Sequence, residues 1–452
     1  MTEIKNYFEN LNRNTSALPL AIFRMAFGFL MAFSQVRFLW KGWVDELYLS
    51  PQFHFTFPGF HWVEVLTSPW MYGLVVFSII LAIMIAFGLF YRIASVLFFL
   101  AFTYLELIDM SLYLNHYYFI SLISFLLIFM PAHHYLSLDV RFKNVVQNSS
   151  TLQVNIELIK WQLAIVYLFA GIAKIKTDWL FNAQPMNIWL SARTDFPLIG
   201  SMFGEEWVAL AFSWSGMIYD CTIPFFLWNK KTRSYAFAAV VIFHVITWLL
   251  FNIGMFPWIM IAASLIFFEK NDWIKLFSFL KIKNWLSEKS EQIISNNPSI
   301  SRIRKWSLLT YFFIQLALPL RQHFYSGNPL WTELGYRFSW NVMLAEKTGY
   351  CHFVIKDKAS GKSWNIQPST YLTNVQEKQM SFQPDMIWQF AHFLKKELKA
   401  DGLADISISV YNKVSLNGRK SQFLINPKAD LLDIQSVFEL NNIILDEFPT
   451  DS

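Results

Sequence analysis

The residues from Tyr167 to Trp179 have the sequence YLFAGIAKIKTDW, in which a long apolar segment ends in two lysines and an aspartate. At about 100° per residue, Tyr167, Gly171 and Lys174 share one face of a helix. Lys176 points almost the opposite way. The apolar segment before these residues is long enough to cross a bilayer. The stretch therefore predicts a membrane helix that carries Lys174 at its end.

Lys174 has two interpretations at this point. Removal of an amine from water disfavours its charged form, so a lysine in a dry place can act as a general base. The alternative is a lysine whose long side chain extends to the lipid headgroups. The residues of this stretch are compatible with both.

The composition of the chain is typical of a polytopic membrane protein. Of its 452 residues, 55% are hydrophobic and 18% aromatic, whereas 15% are charged, and an ordinary soluble domain is more polar than this. The net charge of +5 gives no sign of nucleic-acid binding, so we expect no nucleic-acid partner. Cys221 and Cys351 are far apart, which excludes a disulfide framework or a Cys-x-x-Cys site, and we expect no metal.

About nine apolar runs are long enough to predict membrane-crossing helices. The runs are Leu18–Trp40, Met71–Tyr91, Ala94–Tyr113, Tyr117–Ala132, Glu157–Ala173, Trp207–Trp228, Tyr235–Phe251, Met255–Phe268 and Trp306–Leu320. A cytoplasmic N-terminus places most loop lysines and arginines on the inner side, as the positive-inside rule requires. An odd number of crossings then places the C-terminal part outside the cytoplasm, in a periplasmic or luminal compartment.

The sequence becomes more polar after the last apolar run. Residues 1–340 form the predicted membrane domain, and residues 341–452 form a predicted small α+β domain outside the cytoplasm. Tyr350–Ile355 and Lys362–Ile366 flank turn residues, as the strands of a β-hairpin do, and a helix is expected from Gln383 to about Leu398. The predicted fold class is thus mainly α: a polytopic helical bundle followed by a small α+β domain.

The third apolar run carries ionisable groups, which are costly inside a membrane and are candidates for function. If its helix continues beyond the run, four polar groups fall within an arc of roughly 80°: Glu106, Asp109, Tyr113 and His116. Asp109 would then orient the imidazole of His116 or set its charge. The alternative is that the carboxylates pair with Arg24, Arg37 or Lys160 and stabilise the bundle.

Asp220 and His244 are further ionisable residues in apolar runs. A single histidine on an apolar helix is more often structural than functional, so neither residue indicates a site by itself. Lys174 and the residues around His116 together predict a polar site near the outer face of the membrane. Apolar walls with a few convergent polar groups suit a lipidic or quinone-like ligand.

Four blocks of the sequence resemble the vitamin K-dependent γ-glutamyl carboxylase family, whose membrane domain is of the horizontally transferred transmembrane (HTTM) type. GIAKIKTDW at residues 171–179 is similar to the family segment that carries glycine, lysine, aspartate and tryptophan at these spacings. The residues NHYY at 115–118 resemble the asparagine–histidine turn of the family. Two further blocks are FH at 243–244 with LFNIGMF at 250–256, and YRFSW at 336–340 followed by NVM at 341–343. The resemblance spans roughly residues 18–430.

The resemblance implies roles for individual residues. Lys174 is expected to be the catalytic base, and His116 a second catalytic residue. We assign cofactor binding to Asn115, Asp109, His244, Met255 and Phe256. We assign substrate binding to Trp179, Tyr336 and Trp340.

The activity implied by the resemblance is that of an integral membrane lyase acting on carbon–carbon bonds. It couples the oxidation of reduced vitamin K (phylloquinol or menaquinol) to its epoxide with the addition of CO2 to peptide glutamate, and O2 is the oxidant. An un-ionised Lys174 would take the phenolic proton of the quinol, and water would have to be kept away from the strong base that follows. The implied partners are the lipid bilayer and a glutamate-containing peptide or protein.

The chain also departs from the family pattern. Its outer domain is shorter than in the animal enzymes, and it has no match to their propeptide-binding surface. Two alternatives therefore stay open: a quinol oxidase or epoxidase that does not carboxylate protein, and a non-catalytic lipid-binding membrane protein. The residues carry no indication of an oligomeric state.

Overall fold

The fold is described by a computed structural model that covers residues 7, 9–281, 300–400, 402–403 and 405–447. The chain is mainly helical, with a small four-stranded sheet towards its C-terminus. A two-stranded ribbon, β1 (Asn14–Ser16) with β2 (Ser150–Leu152), lies at the start of the helical part. Most of the helices that the structure describes lie between Leu18 and Leu320.

The described residues before position 321 form ten helices of nine or more residues. They are α1 (Leu18–Trp40), α2 (Ser68–Phe87), α3 (Tyr91–Leu107), α4 (Asn115–Ile128), α5 (Gln153–Ala173), α6 (Glu206–Trp228), α7 (Arg233–Leu250), α8 (Phe256–Ser264), α9 (Lys270–Phe279) and α10 (Arg302–Leu320). Each predicted apolar run overlaps one of them, and α9 is the additional polar helix. In this part of the chain α1, α2, α5 and α7 are long and apolar enough to cross a membrane. The count of nine crossings stays a prediction.

The third apolar run is interrupted earlier than the sequence predicts. Helix α3 ends at Leu107, and Asp109 has an extended backbone with φ −140° and ψ 116°. Its carboxylate accepts the backbone N–H of Ser111 at 2.8 Å. An aspartate that bonds to a nearby backbone N–H competes with helix continuation. The predicted common face of Glu106, Asp109, Tyr113 and His116 is therefore not formed.

Arg24 does not pair with these carboxylates either. It is fully buried in α1, and its Nη1 donates to the carbonyl oxygens of Ile85 and Ala86 at 2.8 Å each. Both carbonyls lie in the last turn of α2, where the helix supplies few backbone donors, and the Ile85 oxygen also accepts the Gly88 N–H at 3.0 Å. Arg24 thus stabilises the end of a neighbouring helix, and the proposed pairing of Arg24 with Glu106 or Asp109 is wrong.

The C-terminal part has one antiparallel sheet in the order β4-β3-β5-β6, with two helices of seven or more residues against it. The elements are β3 (Lys347–Asp357), β4 (Ser363–Ile366), α11 (Asn374–Met380), α12 (Pro384–Ala400), β5 (Ile406–Leu416) and β6 (Gln422–Phe423). The predicted hairpin is confirmed, because Phe353 lies opposite Ile366 in the β3–β4 pair. The predicted helix is also confirmed, with Ile387, Phe390 and Leu394 of α12 fully buried in the same cluster as Phe353.

This α+β unit lies against the loops that follow α3 and α5. Gln376 Nε2 in α11 donates to Asp109 Oδ2 at 2.7 Å. Asn417 Nδ2 and Arg419 Nη2 donate to the carboxylate of Asp178 at 2.9 and 2.5 Å. The α+β unit therefore covers one end of the helical bundle. The C-terminal ends of α3 and α5, which carry the predicted site, lie at that end. The division of the chain at residue 340 stays a prediction.

Candidate active site

Lys174 follows the last residue of α5, and its side chain is buried. The residue is 5% exposed, and its Nζ donates to Asp220 Oδ2 at 2.8 Å and to the Ala170 carbonyl at 3.2 Å. The side chain is thus held inside the helical bundle by α6. This geometry excludes the interpretation that Lys174 extends to the lipid headgroups.

The contact between Lys174 and Asp220 depends on a close approach of α5 and α6. A Cβ at Gly171 would lie 2.6 Å from Cys221 Sγ and 2.8 Å from the Cys221 backbone nitrogen. Contacts this short are sterically forbidden, so only glycine permits the observed separation of the two backbones. Asp220 directly precedes Cys221, and its carboxylate is thereby brought within hydrogen-bond distance of the amine.

A cavity of about 310 Å³ opens beside this pair, and we call it the Lys174 cavity. Most of its lining is aromatic or aliphatic, and Tyr167, Asp220 and His244 are among its few polar groups. His244 Nδ1 lies 2.8 Å from the Val240 carbonyl oxygen. A carbonyl oxygen can only accept, so Nδ1 carries the proton and a neutral His244 keeps Nε2 as an acceptor.

Trp179 forms another part of the wall of the Lys174 cavity. Its Nε1 donates to the Ser213 carbonyl at 2.7 Å, which anchors the indole to α6. The Lys174 Nζ lies 5.3 Å from the centre of the indole ring, a distance at which an ammonium interacts favourably with an aromatic face. The tryptophan of the GIAKIKTDW block therefore positions the lysine of the same block.

His116 lies in a second, larger cavity of about 960 Å³, which we call the His116 cavity. The residue is 6% exposed, and no hydrogen bond to its ring is found within the described part of the chain. Asn115, Met255 and Phe256 line the same cavity. The Asn115 Nδ2 donates to the Asn341 carbonyl at 3.1 Å, so this asparagine also ties α4 to the segment after α10.

The two cavities are neighbours with a common wall. Five residues line both: Phe251, Ile253, Phe256, Val342 and Met343. The ring of Phe256 lies 6.0 Å from the imidazole of His116 and 5.9 Å from that of His244. The sequence predicts one chamber for Lys174 and His116, whereas the structure places them in adjacent cavities with Phe256 in the shared wall.

Asp109 lies outside both cavity linings. Its Oδ2 is 3.1 Å from His54 Nδ1 and 2.7 Å from Gln376 Nε2. The carboxylate therefore joins the loop that follows α1 to the α+β unit, and it does not orient His116. The expected contact between Asp109 and the cofactor has no support in this geometry.

Tyr336 and Trp340 also lie outside the two cavities. Trp340 is 1% exposed and stacks on Tyr118 with ring centres 4.9 Å apart. The Tyr336 hydroxyl donates to the Asn341 carbonyl at 3.3 Å. These side chains pack within the segment that follows α10. The residues of this segment that line both cavities are Val342 and Met343.

Sequence reasoning missed Asp220 as the partner of Lys174. The available signal was a carboxylate in an apolar run, which is costly in a membrane without a partner. The two residues are 46 positions apart, and no local pattern connects them. In the described part of the chain, no group of three or more histidine, cysteine, aspartate or glutamate side chains is arranged to hold a metal ion.

Comparison with known families agrees with this architecture. The HTTM domain family matches residues 12–273. The lumenal domain of vitamin K-dependent gamma-carboxylase matches residues 300–448. No solved structure matches the chain significantly. The apolar helices fit an integral membrane protein, and the two matches follow each other in one chain. The protein therefore belongs to the vitamin K-dependent γ-carboxylase family, as a carboxylase-like membrane protein with an HTTM domain followed by a lumenal domain.

Proposed function

We propose that this protein is a membrane enzyme that couples the oxidation of reduced vitamin K to its epoxide with the γ-carboxylation of peptide glutamate. The observation that carries the proposal is the buried amine of Lys174, bonded to Asp220 in the wall of an apolar cavity. A buried amine with a carboxylate partner in a water-poor site is suited to proton abstraction.

The residues around the Lys174 cavity fit a quinol. Its walls include Phe243, Leu250 and Met260, and apolar walls with a few convergent polar groups are typical of sites for such ligands. Lys174, Asp220 and His244 are among the lining groups able to exchange hydrogen bonds with a phenolic hydroxyl. Reduced vitamin K, when bound there and oxidised by O2, would supply the strong base that removes the γ-proton of glutamate before CO2 adds.

Asp220 would allow Lys174 to act as an un-ionised base. In an apolar enclosure the solvation of two separated charges is lost, which weakens the advantage of an ammonium–carboxylate pair over a neutral amine and acid. One proton shared between Nζ and Oδ2 can rest on Asp220 while Lys174 accepts the phenolic proton. The chain thus supplies both the base and a place for the proton that the base must first release.

Phe256 and the apolar walls would keep water from the reacting groups. The Phe256 ring lies 6.0 Å from the imidazole of His116 and 5.9 Å from that of His244, and His116 would act from the side of the second cavity. Its ring nitrogens have no partner in the described part of the chain, and they are free to donate to or accept from a substrate. Trp179 contributes the adjoining wall and holds the amine in position.

The purified protein in lipid nanodiscs, supplied with reduced vitamin K, O2, labelled CO2 and a short glutamate peptide, tests this function. Label in the peptide together with vitamin K epoxide is the expected result. Epoxide without label would replace the proposal with a quinol epoxidase. If neither product forms, the protein is a non-catalytic lipid-binding protein.

We also propose that the nine helices α1–α8 and α10 cross the membrane in alternate directions, with the N-terminus in the cytoplasm. Alternation places the end of α1, the start of α4 and the end of α5 at the outer side. The end of α7 and the start of α8 fall there too, and residues at all five places line the two cavities. This agreement supports the proposed topology and an extracytoplasmic lumenal domain.

A further inference from the structure

The His116 cavity carries two cations. Arg37 lies in the last turn of α1, Lys41 directly follows that helix, and both line the cavity. The amides of Asn115 and Asn252 add hydrogen-bonding groups. The described lining contains no aspartate or glutamate. The cavity is therefore positively charged on one side and otherwise mostly apolar.

Arg37 differs from most enclosed cations of the protein, which pair with a carboxylate or, like Arg24, donate to backbone carbonyl oxygens. It is half-buried, its guanidinium lies 4.8 Å from the centre of the Trp43 ring, and it forms no ion pair within the described part of the chain. The enclosed cations that do have acidic partners are Lys160, Lys174, Arg233, Arg337 and Lys347. An enclosed cation without an anion is unfavourable, so the arrangement around Arg37 is suited to an anion that arrives with a ligand.

His116 supplies a second, independent indication of a ligand. Its imidazole is more than nine-tenths buried and lines the same cavity, and its ring nitrogens have no protein partner in the described residues. Buried polar groups are normally hydrogen-bonded. A ligand that satisfies both Arg37 and His116 would need an anionic group with hydrogen-bonding atoms close to it.

We propose that the His116 cavity is the subsite for the glutamyl side chain, in which Arg37, assisted by Lys41, binds the γ-carboxylate. This proposal rests on the proposed carboxylase function. A guanidinium can bind a carboxylate through two parallel hydrogen bonds, which fixes the orientation of the neighbouring methylene group. The glutamyl side chain then lies next to the quinol site around Lys174, because Phe256 and four other residues line both cavities.

Two cations also match the charge of the product. The added CO2 gives the γ-carbon a second carboxylate, and two carboxylates on one carbon repel each other. Arg37 and Lys41 would offset this repulsion, because a cation stabilises the ionised form of a carboxylate near it. A lipid phosphate is the other anion available at a membrane surface, and the experiment distinguishes it from the peptide.

Equilibrium binding tests the subsite without any turnover. Fluorescence anisotropy measures the affinity of two labelled pentapeptides, one with a single glutamate and its glutamine twin, for the protein in phosphatidylcholine nanodiscs. The wild-type protein should prefer the glutamate peptide. Arg37→Gln should weaken that affinity by about tenfold and leave the glutamine peptide unaffected. Arg37→Lys, which keeps the charge, should lose less.

Lys396→Gln is the matched control, since it removes an exposed cation of the lumenal domain, and it should bind as the wild type does. Equal unfolding temperatures would establish that Arg37→Gln is folded. An unchanged glutamate affinity in folded Arg37→Gln overturns the subsite. The subsite is also overturned if anionic phosphatidylglycerol in the nanodiscs abolishes peptide binding and Arg37→Gln removes only this inhibition by the lipid. In that case Arg37 binds the lipid phosphate and not the peptide.

The outcomes also separate this inference from the proposed function. A wild-type protein that prefers the glutamate peptide through Arg37, yet makes no carboxylated product, keeps the subsite and rejects the carboxylase. A protein that carboxylates equally well with Arg37→Gln at limiting peptide keeps the carboxylase and rejects the subsite.

Discussion

Lys174 and Asp220 form the ion pair on which the proposed chemistry depends. Both are buried, and the Nζ–Oδ2 distance is 2.8 Å. The sequence indicates Lys174, because it ends an apolar helix within a family block. It indicates Asp220 only as an ionisable group in a membrane segment, since nothing local specifies which basic residue it faces.

Replacement of Lys174 tests the base directly. Lys174→Ala should lower epoxide formation and peptide carboxylation together by about 100-fold or more, because general-base catalysis contributes factors of this size. Both products are measured in the same nanodisc reaction. Lys176→Ala is the control, as Lys176 does not line the Lys174 cavity. Epoxide formation at the wild-type rate in Lys174→Ala would remove this lysine from the mechanism.

Replacement of Asp220 tests the proton acceptor. Asp220→Asn keeps a group of the same shape but cannot take the proton of Lys174, so both products should fall by about tenfold or more. Asp220→Glu retains a carboxylate and should retain more activity than the asparagine variant. Initial rates at saturating quinol provide the measurement, and equal rates in Asp220→Asn and wild type would contradict the role.

The contact of α5 with α6 and the gap between α3 and α4 determine where the site residues lie. Apolar runs predicted that the helices exist, and their approximate limits, because membrane helices need long apolar segments. The break at Asp109 was not predicted, because an argument from helical periodicity assumes that the helix continues. It does not show that the Asp109 side chain bonds to the backbone N–H of Ser111 and ends the helix. That break separates Asp109 from His116 and places it beside Gln376.

Gly171→Ala tests the close approach of α5 and α6. The added Cβ would lie 2.8 Å from the Cys221 backbone nitrogen, so the helices must separate, which should cost about 1–3 kcal/mol and lengthen the Lys174–Asp220 contact. The unfolding temperature and both reaction rates should therefore fall. Gly73→Ala is the matched control, since a Cβ there meets nothing within 4 Å. Wild-type behaviour of Gly171→Ala would show that the helices tolerate a wider separation.

The stability of the whole protein depends on how the lumenal domain packs on the membrane part. Asp178 lies four residues after Lys174 and outside the membrane-spanning segments. Its carboxylate accepts hydrogen bonds from Asn417 and Arg419. Partial burial acts to raise the pKa of Asp178, but the hydrogen bonds from Arg419 and Asn417 outweigh it and hold the pKa below its usual value. The ionised carboxylate is thus favoured in the folded state.

This direction gives a pH dependence. A carboxyl group whose folded pKa is lowered stabilises the fold at pH values above its unfolded pKa of about 3.9, and the contribution is lost as the pH falls through the folded value. The unfolding temperature of the wild type should therefore drop more steeply below about pH 4 than that of Asp178→Asn. Thermal unfolding of the solubilised protein measures this, and parallel curves for the two proteins would contradict it.

The orientation in the membrane is tested by labelling cysteines in intact cells. A cysteine at Lys176→Cys should react with a membrane-impermeant maleimide added from outside, because the end of α5 is proposed to face the outer side. Lys231→Cys, between α6 and α7, should react only after the cells are opened. The protein without an added cysteine gives the background, and the reverse pattern would invert the topology.

Local sequence was sufficient for the helical runs, the β3–β4 hairpin, helix α12 and the position of Lys174 at a helix end. These features depend on periodicity and composition within one segment, where the residues that contact each other in space are also close in the sequence. The partner of Lys174, the two cavities with Phe256 between them, and an Arg37 without a carboxylate depended on tertiary packing. Such contacts join helices far apart in the chain, and their geometry follows from how closely the backbones approach, as Gly171 and Cys221 show.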